Sequence, residues 1–137
     1  MFRRARILAL AALTLTACSV VKMHRVRDDY ARDDRTRTKR LAVVTQPLPG
    51  GNAPVGELLS LIARRYINQK RNFIAKAHAA VADAFSLQSH CVDGIEGVLW
   101  LKPNWQTRAG GVEAEIQARL FRCRDGEEVW AADAAGS

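Results

Sequence analysis

Apolar residues recur along this chain with three different periods, and the places where the period changes mark its elements. Ile7 to Ala17 is a continuous apolar run. Leu41 to Gln46 is a shorter one with two adjacent valines, bounded by Pro47 and Pro49-Gly50-Gly51, which reads as a buried strand. Val55, Leu58, Leu59, Ile62 and Tyr66 then follow helical spacing and predict a helix over 54–69 with those five on its buried stripe. Asn52 is placed to cap it, with Pro54 in the first turn and Glu57 near the positive end of the dipole. Residues 70–96 are ambiguous. Asn72 to Ala80 fits a strand near 72–78 or more helix, and the reading adopted is the strand, then helical or irregular chain through Ser89.

The last forty residues are clearer. Gly97 to Leu101 reads as a strand apolar on both faces. Val112, Ala114, Ile116, Ala118 and Leu120 alternate with Glu113, Glu115, Gln117 and Arg119, the pattern of an antiparallel strand with one wet face. Asp125-Gly126 is a two-residue hairpin signal, Gly110-Gly111 a second turn, and Val129 and Ala131 continue a third strand. The expected fold class is therefore α+β: an N-terminal strand and a long amphipathic helix packed on a mainly antiparallel sheet that ends in a three-strand meander. With two-residue loops at both turns, Trp100 and Trp130 both lie opposite Phe121, and Val98 lies opposite Cys123. Trp100, Phe121 and Trp130 then form an aromatic ladder. It is either ordinary core or a groove for an aromatic or peptide ligand.

The N-terminus changes the picture of the whole. Arg3, Arg4 and Arg6 followed by the eleven-residue run Ile7–Ala17 have the plan of a secretory signal peptide. The run is too short to span a membrane, which takes about 20 apolar residues. It ends in Leu15-Thr16-Ala17-Cys18, which resembles the lipobox of bacterial lipoproteins. That resemblance implies removal of residues 1–17, acylation of Cys18, and attachment to the membrane through two or three acyl chains, enough for durable anchoring. Ser19 after the cysteine, where Asp is absent, favours the outer membrane by the same resemblance, with the domain facing the periplasm.

Charge sorts by segment. The chain carries +7, of which the signal peptide holds three basic residues. Residues 19–40 hold eight basic groups against four aspartates, a net of +4, and residues 41–137 hold ten of each sign. The domain is neutral, which argues against a nucleic-acid partner. Residues 18–40 read as the acylated cysteine and a charged tether, with few large apolar side chains (Val20, Val21, Met23, Val26 and Tyr30) and a coil span of roughly 25 Å. Its basic groups either face solvent or touch anionic phosphates of the membrane. His24 in this segment is expected to be solvated.

Cysteine count fits export. With Cys18 lipidated, Cys91 and Cys123 remain as an even pair, expected to bridge in an oxidising compartment and otherwise to stay as buried thiols. Chemistry beyond that is thin. His78, His90 and Cys91 have the residue types of a Cys/His nucleophile or redox site and define the alternative reading, a secreted hydrolase or thiol-redox protein. Gly50-Gly51-Asn52 before a helix lacks the Lys-Ser/Thr of a phosphate loop. Asp83, Asp93 and Glu96 are scattered acids of the kind that cap or face water. No cofactor and no metal are expected, and partners are the membrane and other envelope proteins.

The stretches LAVVTQPLPG, VGELLSLIARRY, GIEGVLWLKP and VEAEIQARLFRCRDGEEVWAADAAGS together resemble an uncharacterised bacterial lipoprotein family seen in myxobacteria and leptospires. In outline the chain is also similar to periplasmic lipoprotein folds of the curli-secretion and penicillin-binding-protein-activator type. The anchor, the neutral domain and the thin chemistry together give the expected function, a non-catalytic envelope binding or assembly module with residues 41–137 as one periplasmic domain. The family resemblance implies a chain that continues past Ser137, so this sequence is expected to be a truncated member.

Overall fold

The computed structural model describes residues 20–34, 37–47, 53–70, 73–80 and 87–136. Residues 1–17, expected to be a signal peptide, lie outside them, as do Cys18, Asn52 and Asp83. Six strands form one mixed sheet in the order β1-β6-β5-β4-β2-β3. They are β1 (Val20–Val26), β2 (Arg40–Thr45), β3 (Ile74–Ala80), β4 (Gly97–Arg108), β5 (Gly111–Arg122) and β6 (Glu128–Gly136). The helix α1 (Ala53–Lys70) crosses over between β2 and β3, and α2 (Leu87–His90) is a single turn before β4. The α+β class holds, and β4, β5 and β6 are the expected meander. The sheet also contains two parallel pairings, β2 with β3 and with β4, which local patterning had not resolved.

β2 is the centre of the core. Leu41, Ala42, Val43, Val44 and Thr45 are all buried, as expected for a strand with parallel neighbours on both sides and cover on both faces. Thr45 is tolerated there because its hydroxyl bonds that of Ser60 on α1, itself fully buried. On the α1 side, Val43, Ala75 and Leu101 form one cluster, with Ala63 and Ile67 of the helix packed against it. A second cluster joins Tyr30, Leu41, Leu120 and Val129. The loop into β4 is equally tight. A Cβ on Gly97 would lie 2.8 Å from Thr38 Cγ2 and 3.0 Å from Leu41 Cδ2, so only glycine fits without a shift.

Three expectations need correction. The first is the tether. Residues 20–26 pair antiparallel with β6 from Val20↔Ala135 to Val26↔Trp130, and one wide helical turn follows at Tyr30–Asp34. Tyr30 is 4 % exposed in the core, and burying one such side chain contributes about 1.5–3 kcal/mol, so this segment docks despite its polar composition. Fitting this, His24 is not simply solvated: its Nε2 accepts a hydrogen bond from Trp130 Nε1 at 3.0 Å.

The second correction is the buried face of α1. Gly56 and Ser60 are buried, and Leu59, Ala63 and Ile67 are half-buried, while Leu58, Ile62 and Tyr66 of the predicted stripe point outward together with Leu61. The reason is steric. A helix approaches a sheet most closely over small side chains, and Gly56, Ser60 and Ala63 lie along one side of α1. Closeness on that side outweighs the larger area that Leu58 and Ile62 would bury.

The third correction concerns turns and register. Arg108 pairs with Gly111, so the β4–β5 loop is Ala109-Gly110, and Trp100 faces Arg119 while Val98 faces Phe121. At the next hairpin, the Arg122 amide donates to the Glu127 carbonyl at 2.9 Å and the Gly126 amide to the Arg122 carbonyl at 2.8 Å. Four residues, Cys123 to Gly126, make that turn, with Gly126 alone left-handed (φ 74°). The left-handed Asp-Gly pair occurs elsewhere, at Asp93 (φ 52°) and Gly94 (φ 78°).

Candidate functional site

Of the predicted site residues, Cys18 lies outside the described residues, and the aromatic and cysteine positions lie within them. Leu120 pairs with Trp130 but Phe121 with Glu128, because the ladder is bulged there, and this puts Trp130 on the opposite face of the sheet from Trp100 and Phe121. The aromatic ladder therefore does not form. Trp130 packs beside the Tyr30–Leu120–Val129 cluster and meets His24 edge-on, ring centres 6.0 Å apart. Trp100 and Phe121 remain on one face, diagonal to each other across β4 and β5.

Cys91 and Cys123 are joined by a disulfide with Cα atoms 5.7 Å apart, tying the loop before β4 to the turn after β5. The Cys91 sulfur is thus committed, and the Cys/His nucleophile loses its nucleophile. His78 sits opposite Val43 on edge strand β3 and His90 ends α2. Among the described residues no group of three or more His, Cys, Asp or Glu is arranged to hold a metal ion.

Polar groups around the bridge are built for fastening. The Glu96 carboxylate accepts the amides of Lys39 at 2.9 Å and Arg40 at 3.0 Å, and the Arg40 amide in particular holds its pKa below the ordinary value. Asp125 is drawn down to about 2, chiefly by hydrogen bonds from Arg122. Arg122 is itself buried and also reaches Asp29 Oδ2 at 3.2 Å, which pins the wide helical turn to the end of β5. A cavity of about 450 Å³ lies beside these groups, lined among others by Arg37, Thr38, Glu96 and Arg124. A second, of about 320 Å³, is lined among others by Arg25, Arg27 and Glu128; Arg25 pairs with Glu128, and Arg27 pairs with Glu127. Arg122 beside the first cavity, and Arg25, Arg27 and Glu128 along the second, are already engaged in ion pairs.

The solvent side of α1 carries exposed apolar side chains. Leu58, Leu61, Ile62 and Tyr66, all 47–59 % exposed, follow one another at helical spacing along the solvent side of α1. Lys70 Nζ lies 5.3 Å from the Tyr66 ring centre, and Arg65 falls in the same stripe. A contiguous exposed apolar stripe with a basic margin is the kind of surface that marks interaction sites in general. The sequence held this signal, since the apolar spacing was visible. Its side was misassigned.

No family model matches the chain, and no curated protein matches it. Among solved structures it is similar to the PelC dodecamer of Paraburkholderia phytofirmans, at 19 % identity and TM-score 0.59 over 86 % of this chain and 80 % of that one. A point variant of the same PelC dodecamer gives 16 % identity and TM-score 0.55 over 88 % and 81 %. Lipoprotein GNA1162 of Neisseria meningitidis gives 18 % identity and TM-score 0.51 over 72 % and 84 %. These likenesses establish a shared fold, one that a bacterial lipoprotein also has.

Proposed function

We propose that this chain is a lipid-anchored, non-catalytic module of the bacterial envelope that works by assembling with further copies of itself. The outward apolar stripe of α1 carries the reading, because a helix that leaves Leu58, Leu61, Ile62 and Tyr66 uncovered is poised to bury them against a neighbour. The fold gives support of a second kind: PelC, which shares it, is a dodecamer, and GNA1162 is a lipoprotein. The anchor is Cys18, acylated after removal of residues 1–17, and Ser19 favours the outer membrane with the domain on the periplasmic side. Membership of the myxobacterial and leptospiral lipoprotein family belongs to the same proposal.

Two measurements test it. Cys18→Ser should move the protein from the membrane fraction to the soluble one. The acylated protein, sedimented in detergent, should form a discrete oligomer that Leu58→Glu with Ile62→Glu reduces to monomer. A wild-type monomer, together with no self-crosslinks in intact envelopes, would refute assembly. Crosslinks to a different envelope protein would redirect the reading to that partner.

A further inference from the structure

We propose that the outer end of the sheet, on the side facing α1, rests against the lipid bilayer. β2 ends its pairing with β4 at Thr45↔Leu101, but β4 runs on to Arg108 and β5 starts at Gly111, so a two-stranded ribbon projects past the core. On that ribbon Trp105 pairs with Ala114 and Thr107 with Val112, while Ile116, two residues further along the same face, packs into the cluster under α1. The face is therefore continuous with the helix-covered core but lies beyond the helix. Val21 of β1 joins it through Ala134, which pairs with Ile116.

Its large side chains are open: Val21 is 65 % exposed, Trp105 46 % and Val112 55 %. On β4 and β5 the reverse face is polar there, with Asn104, Gln106, Glu113 and the 2.7 Å Lys22–Glu115 ion pair, and exposed Val20 of β1 lies beside it. The ribbon is thus amphipathic, apolar on one side only.

The position of the anchor selects a membrane as the occupant. This step rests on the acylation of Cys18 proposed above. Val20, the first residue of β1, follows Cys18 by two positions, a reach of at most about 7 Å. Val20 aligns through Ala135 and Glu115 with Asn104, next to Trp105, so the start of β1 and the apolar face lie at the same end of the sheet. With residues 20–26 paired into the sheet, no long tether holds the domain away. Tryptophan suits the headgroup level, where its ring is half apolar and its N–H is wet.

The test uses the mature acylated protein in phosphatidylethanolamine–phosphatidylglycerol vesicles with bromine on the acyl chains of the phosphatidylglycerol. Bromine at that depth should quench wild-type tryptophan emission, and quenching should be at least about twofold weaker in Trp105→Phe, which leaves Trp100 and Trp130 in place. Val112→Glu, with Trp105 kept, should also weaken it. Equal quenching in all three proteins, or none in any, overturns the proposal when the intact mass shows acyl chains on Cys18. An unacylated Cys18 in that mass overturns the lipoprotein reading first, and this inference with it.

Discussion

Arg122 and Asp125 share a two-pronged ion pair, Nε to Oδ1 at 2.9 Å and Nη2 to Oδ2 at 2.5 Å, with the arginine side chain only 5 % exposed. An ion pair of this kind is asymmetric in its mutational cost. Removing one partner strands a buried charge, while replacing the arginine by an apolar chain of similar length strands little. Asp125→Ala should destabilise by about 1–3 kcal/mol, moderated by the exposure of Asp125 and by the remaining bond to Asp29. Arg122→Met should cost less than Asp125→Ala combined with Asp29→Ala. Urea denaturation of the four proteins decides it, and a larger loss for Arg122→Met would show that the guanidinium contributes net stability.

Acid should loosen the same region. Asp125 and Glu96 both titrate below their ordinary values in the fold, Asp125 at about 2 through Arg122 and Glu96 through the Arg40 amide. For a carboxyl whose folded pKa is depressed, the stabilisation is fully present above the unfolded pKa and disappears as pH falls through the folded one. The denaturation midpoint should therefore be flat down to about pH 5 and fall between about pH 4.5 and pH 2. Asp125→Asn with Glu96→Gln should be less stable at neutral pH and show a shallower slope across that window. An unchanged slope in the double variant would assign the acid loss to other carboxylates.

A side chain of α1 fastens the outer edge of β3. Asn68 on α1 accepts the Ala75 amide at 2.8 Å through Oδ1 and donates to the Ala75 carbonyl at 3.3 Å through Nδ2, imitating a neighbouring strand. Asn68→Ala should destabilise by about 1–2 kcal/mol and raise hydrogen exchange at Ala75 well above that at Ala42 in the sheet centre. Asn68→Asp keeps the acceptor but turns the donor into a charge beside a carbonyl, so it should be no better than alanine. Equal protection of Ala75 in wild type and variant would contradict the role given to Asn68.

How much of this was legible in the sequence depends on what each feature needs. β2, β5 and the meander follow from strand-period patterning, which acts within a few residues. Two kinds of information lay further away. Whether α1 buries Leu58 or Ser60 depends on how closely the helix can approach β2, and the Thr45–Ser60 bond across that gap joins residues fifteen apart. Whether Trp130 joins Phe121 depends on a one-residue bulge, and a one-residue slip moves a side chain to the other face. The docking of β1 was hidden for a third reason. Its strand is mostly exposed and interleaves apolar with basic side chains, and it is ordered by pairing with β6 and by the burial of Tyr30 beyond its end. The candidate contact surfaces share that origin: their apolar residues were visible in the sequence, but which of them stay uncovered is decided by packing.

The disulfide makes the last prediction. Cys91 and Cys123 close a chain loop of sequence separation 32 that contains the whole of β4 and β5. In the chain-entropy account, closing a loop of that length stabilises by roughly 3–4 kcal/mol. Cys91→Ser with Cys123→Ser should lower stability by about that amount, and dithiothreitol should do the same to wild type, with no further effect on the double variant. The loss should concentrate at the fastened end. In the reduced wild type, hydrogen exchange should rise first at Lys39 and Arg40, whose amides are held by Glu96, and at Cys123, whose backbone N–H donates to the Glu96 carbonyl at 2.9 Å. The far ribbon around Trp105 should keep the exchange of the oxidised protein. A uniform rise over the whole sheet would mean instead that the bridge acts only by constraining the unfolded chain.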